Sequence, residues 1–77
     1  MTATEQQDMI RSMVDRLAGK LAENPNDAEG WLRLIRARMV MNDREQAAKD
    51  VATARAQFAE GSAERKSIDE AAQGLGL

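Results

Sequence analysis

Seventy-seven residues leave room for one small domain, since a chain of this size buries only about 60% of its surface on folding. Apolar residues make up 43% of it, yet Trp31 and Phe58 are the only aromatics and fourteen residues are alanine, so the core must use small side chains and methionines, which favours closely packed helices over a sheet. A net charge of -2 offers no field to draw nucleic acid, and the absence of His, Cys and Tyr removes the imidazole base, the thiol nucleophile and the usual zinc ligands.

Met9, Ile10, Met13, Val14, Leu17 and Leu21 recur at three- and four-residue spacing and predict a first helix over 5–23. Thr4 is placed to cap it, with Gln7 three residues on, and the spacing of Met9 and Met13 marks both for core packing. Pro25 ends the helix, because the residue before proline is pushed out of the helical region. Asn26 and Glu29 then have capping-box spacing for a second helix over 28–41. Its apolar set of Ala28, Trp31, Leu32, Leu34, Ile35 and Met39 covers a wide arc, with Arg33 and Arg36 at the opposite side or its edge.

Asp43 with Gln46 repeats the cap spacing and opens a third helix over 44–59, whose alanines permit close approach of a neighbour. Ser62 opens a fourth over 63–73 through Ala63, Ile68, Ala71 and Ala72, with Gly74 at the expected C-cap. Connections this short make successive helices antiparallel, so the fold is expected to be all-α, built of stacked helical hairpins. No stretch approaches the roughly 20 apolar residues that span a bilayer, and no membrane contact by this segment is expected.

Chemistry has few footholds. Asp69 and Glu70 are adjacent and diverge by about 100° on a helix, so they cannot flank one reacting bond. Ser12, Ser62 and Ser67 have no histidine to activate them. Asn24, Asn26 and Asp27 begin like a calcium loop, but Glu29 stands where its glycine is required. The chain is therefore expected to be a non-enzyme with no metal and no cofactor.

Counted from Ala28, the residues Trp31, Leu34, Ala47, Val51 and Ala54 occupy the signature places of a repeat with a period of about 34 residues. The chain thereby resembles the tetratricopeptide repeat (TPR) family. It departs from that pattern at Ile35, where a small residue is usual, at Arg38, where tyrosine is, and at Ala59, where a closing proline is common. The resemblance implies half a repeat, a whole one and a capping helix of an α-α superhelix, a fragment of a larger protein. The run from Met9 to Ala18, followed by Asn24-Pro25-Asn26-Asp27-Ala28-Glu29-Gly30-Trp31-Leu32-Arg33-Leu34, is more particular. Over residues 9–60 it resembles the periplasmic repeat region of the CcmI (CycH) family of cytochrome c-type biogenesis proteins. That resemblance implies a periplasmic part of a membrane-anchored protein, with apocytochrome c, held chiefly by its C-terminal helix, and the haem-ligation machinery as partners.

In repeat register Leu32, Arg36 and Met39 share the groove side of the second helix, with Arg33 beside them, and these four are the candidate peptide-binding residues. Arg33 and Arg36 can each fork onto a carboxylate. The lysine and asparagine of the TPR family's carboxylate clamp are replaced here by Leu32 and Arg36, so a strict clamp is not expected. Arg55, on the third helix, is expected on the outer surface. The alternative reading is a structural module in which apolar faces left without repeat neighbours bury one another between copies.

Overall fold

The structure, a computed structural model, describes residues 2–77. Its first helix, α1 (Ala3–Glu23), opens at Thr2, whose hydroxyl accepts from the Glu5 amide at 3.1 Å. The cap is thus two residues earlier than the expected Thr4. Thr2 and Glu5 form the better box, because Glu5 also places a carboxylate at the positive end of the helix. Asn24 closes α1 by donating to the Lys20 carbonyl, just ahead of Pro25.

The cap of α2 (Ala28–Val40) is Asp27, not Asn26. The reason lies at Gly30. Asp27 Oδ1 accepts from the Gly30 amide at 3.0 Å, and a β-carbon on residue 30 would meet Asp27 Oδ2 at 2.6 Å and Leu21 Cδ2 at 3.1 Å. Only glycine lets the capping carboxylate and the end of α1 close over this turn. Trp31, the next residue, is buried and donates its indole N–H to the Pro25 carbonyl at 2.9 Å, which fastens the α1–α2 connection to the core.

At its other end α2 stops one residue short of the predicted 41. Asn42 takes a φ of 61°, its amide donates to Met39, and the Asp43 amide donates to Arg38 at 2.9 Å. This is a Schellman closure with asparagine at the left-handed position. α3 (Arg44–Gln57) starts from the expected cap, Asp43 Oδ1 accepting from the Gln46 amide. It ends two residues before the predicted 59, because Phe58 is extended and lays its ring against the core. Gly61, with φ 82°, completes the turn into α4 (Ala63–Gly74), which Ser62 caps as expected. Gly74 is the last helical residue of α4 and not its cap. The left-handed position falls at Gly76, φ 75°, with the Leu77 amide donating to Ala72 at 2.8 Å.

Among the described residues the four helices carry all the regular structure, with no strand. α2 lies at the centre, packed against each of the other three; α3 and α4 also pack on each other, while α1 is held by α2 alone. The core runs from Val14 and Leu21 on α1, through Trp31, Leu34 and Ile35 on α2, to Ala47, Val51 and Ala54 on α3 and Ile68 and Ala72 on α4. Fully buried alanines at 47, 54 and 72 let the helix axes approach closely. The result is a slab of 43 × 27 × 16 Å, only one to two helix diameters thick.

Candidate binding surface

The arginines separate into two groups by what they touch. Arg38 is largely buried and pairs with Asp50 across the α2–α3 hairpin at 3.1 Å, while Gln46 donates to the other Asp50 oxygen at 3.2 Å. Both carboxylate oxygens are thereby engaged, and the residue that stands in place of the usual tyrosine is a structural tie. Arg55, its side chain 41% exposed, pairs with Asp69 on α4. Arg65 donates to the carbonyls of Arg55 and Phe58, and Arg44 to those of Leu75 and Gly76. These two guanidiniums bond carbonyls at and just beyond the C-terminal ends of α3 and α4.

The cations on the α1 side are deployed differently. Arg33 meets only Glu29, at 3.9 Å with both side chains well exposed, a pairing worth a few tenths of a kcal/mol. Arg33 and Arg36 stand on one side of an open groove of about 410 Å³, with Arg16 and Lys20 across from them on α1. Its apolar lining is Met13, Val14 and Leu17 from α1 and Ala37 from α2. Among the described residues the lining holds four cations and no carboxylate.

Of the four residues expected to form one surface, Arg33 and Arg36 therefore come together on this groove. Leu32 is half-buried and turned the other way, beside Ala28, Ala63 and Ser67 in a depression between α2 and α4. Met39 is half-buried against the core. The expected trio of Leu32, Arg36 and Met39 thus forms an edge of α2, with only Arg36 well exposed.

The methionines of α1 depart furthest from expectation. Met9 and Met13 are 52% and 58% exposed, not core residues. On a helix they lie about 80° to 140° from the Val14–Leu21 seam that meets α2, and among the described residues no second helix covers that side of α1. The groove's α1 wall could have been found from sequence by noticing that the apolar arc of α1 is too wide for one neighbour. Val40, at 71%, is the other large exposed apolar side chain, on the same exposed ridge of α2 as Arg33 and Arg36. Among the described residues no three carboxylates gather where they could hold a metal ion, and no helix is long and apolar enough to cross a membrane.

Comparison with known proteins bears on what this surface belongs to. Over 69 residues, 90% of the chain, it is 44% identical to the cytochrome c-type biogenesis protein CycH of Bradyrhizobium diazoefficiens. The chain is similar to CycH. A second CycH, from Rhizobium meliloti strain 1021, is 49% identical over 47 residues, 61% of the chain. The chain spans 19% and 12% of the lengths of these two relatives. No model of a protein family matches the chain, and no solved structure does.

Proposed function

We propose that the chain is a TPR-type, polypeptide-binding segment of a cytochrome c maturation factor, working in the periplasm as part of a membrane-anchored protein. Its task is to hold apocytochrome c, chiefly by the C-terminal helix, for delivery to the haem-ligation machinery. The similarity to CycH along nine-tenths of the chain carries this reading. The fold supports the repeat character. The left-handed residues Asn42 and Gly76, the C-caps Asn24 and Phe58, and the buried Leu34 and Ile68 are each separated by one period of about 34 residues. The candidate contact residues remain Leu32, Arg33, Arg36 and Met39, all on α2.

Titrating the chain with C-terminal peptides of c-type cytochromes, beside scrambled peptides of the same composition, tests the proposal. Saturable binding of the native-order peptides alone is expected, and equal binding of the scrambled ones removes it.

The exposed Met9, Met13 and Val40 favour a second reading, in which copies of the chain bury these side chains against one another as a scaffold. Sedimentation over a hundredfold concentration range distinguishes the two, because only the scaffold gains mass without added peptide.

A further inference from the structure

We infer that the trough between α1 and α3, floored by α2, binds an extended, uncharged stretch of a partner polypeptide. It lies on the opposite flank of α2 from Arg33 and Arg36, so its role goes beyond the function proposed above.

The repeat itself leaves this trough open. α2 packs on α1, α3 and α4, whereas α1 and α3 do not touch, although they take the same place one period of about 34 residues apart. Moved back by that period, a helix ahead of α1 would pack on α1 and α2, as α2 does on α3 and α4, and its position is the arginine-lined groove. A helix after α4 would pack on α4, as α3 does on α2. Neither reaches the space of about 420 Å³ that α1, α2 and α3 bound on three sides.

The two sides of the trough differ in kind. Leu21 and Ala22 of α1, with Pro25 and Trp31, make one side apolar. The other is a stripe of Gln46, Asp50, Thr53 and Gln57, which their i, i+4, i+7 and i+11 spacing sets in line along α3. Hydrogen-bonding capacity is left over on this side. Arg38, its side chain only 18% exposed, gives Asp50 its Nε alone, and among the described residues no acceptor meets its two terminal amino groups. Gln46 donates to Asp50 and keeps its amide oxygen, and Thr53 donates to the Lys49 carbonyl and keeps its lone pairs. Donors and acceptors thus line about 16 Å of α3, the length of about five extended residues. A helix has no free backbone groups to meet them except at its ends, whereas an extended chain offers N–H and C=O groups all along.

Charge fixes which side chains fit. Among the described residues Arg38 and Asp50 are the only ionised groups of the lining, and they compensate each other. A charged residue turned inward would lose water without gaining a free opposite charge. Small or apolar residues at alternate positions instead lie against Ala18, Leu21 and Ala22.

The test uses the full 77-residue chain and three acetylated, amidated peptides of about seven residues, which overspan the stripe. One alternates Val and Ser, a second is the same sequence N-methylated throughout, and a third carries Glu for its central Val. In NMR titration the first is expected to shift the Trp31 indole and the Gln57 side-chain amide saturably, and to bind at least about tenfold more tightly than either of the others. Thr53→Ala with Gln57→Ala is expected to weaken it by about fivefold or more, while Lys66→Ala, exposed on α4, changes it by less than about twofold. Thr53 and Gln57 are exposed, so the double variant leaves the core intact, and an unchanged thermal melt verifies this.

Equal binding of the N-methylated peptide overturns the inference, because backbone groups are then not what is recognised. So does tighter binding of the Glu peptide, which makes the trough a carboxylate site. Shifts confined to Arg33 and Arg36 place the peptide in the other groove and overturn it too, as does the absence of saturable binding at millimolar concentration.

Discussion

Trp31 joins three jobs in one side chain: it fills the core between α1 and α3, seals the first connection through the Pro25 carbonyl, and follows the glycine over which Asp27 closes. Trp31→Ala is expected to cost about 3 to 5 kcal/mol, as deletion of a large buried aromatic does, which for so small a domain amounts to unfolding. Thermal melting followed by circular dichroism measures it, and a cooperative transition near the wild-type temperature removes the core assignment. The buried pair behaves differently. Asp50→Ala strands the Arg38 guanidinium and is expected to cost about 3 to 5 kcal/mol, whereas Arg38→Met with Asp50→Leu restores most of it, because both charges leave together. Urea titration of the single and double variants distinguishes a paired charge from a merely polar site. This tie could not be read from the sequence. Arg38 and Asp50 sit on different helices with no local spacing rule to join them, and Arg38 registered only as a departure at a position where tyrosine is usual.

Helix ends were legible only in part, although a cap acts within four residues. Asp43 and Ser62 cap as their spacing to Gln46 and Arg65 requires. Thr4 and Asn26 failed as caps for one shared reason: each has a neighbouring residue equally able to accept, and the choice is made by tertiary closure or by the charge one turn on. In the second case the chosen cap bonds the Gly30 amide, where a β-carbon would meet both the Asp27 carboxylate and Leu21, a residue of another helix. Asp27→Ala is accordingly expected to cost about 0.5 to 2 kcal/mol, and Asn26→Ala less than about 0.5 kcal/mol. At the far end of α2, Asn42→Gly is expected to add a few tenths to about 1 kcal/mol by relieving the left-handed backbone. Chemical denaturation of the three variants checks both ends of the helix, and a loss on Asn42→Gly excludes backbone relief as the dominant effect.

Taken whole, the molecule is held through α2, and protection should fall with distance from it. Amide exchange is expected to be slowest around Leu34 and Ile35, and fastest along the first two turns of α1, whose side chains are exposed from Thr2 through Met9. Hydrogen exchange read by NMR tests the order, and slow exchange at Glu5 to Asp8 contradicts it. Fold class, helix number and antiparallel order were readable because period and turn chemistry are local. Which faces stay open was not, since it depends on which neighbours are present. The pattern of α1 describes a helix with partners on two sides, and this structure supplies one. Arg33 and Arg36 can be paired from the spacing of one helix, while Arg16 and Lys20, their counterparts across the groove, belong to a different stretch of chain.

The indole bonded to Pro25 also gives the protein a built-in optical probe. With one tryptophan and no tyrosine, near-ultraviolet emission comes essentially from a single dry site at the α1–α2 junction. Trp31 borders a separate depression with Leu34 and Asp50, on the other flank of α2 from the arginine-lined groove. A red shift in its emission therefore signals loosening of that junction, while a ligand seated between α1 and α2 should leave the spectrum almost unchanged. Intrinsic fluorescence can thus track folding in the same cuvette in which a dye-labelled peptide tracks binding, with little crosstalk between the two signals.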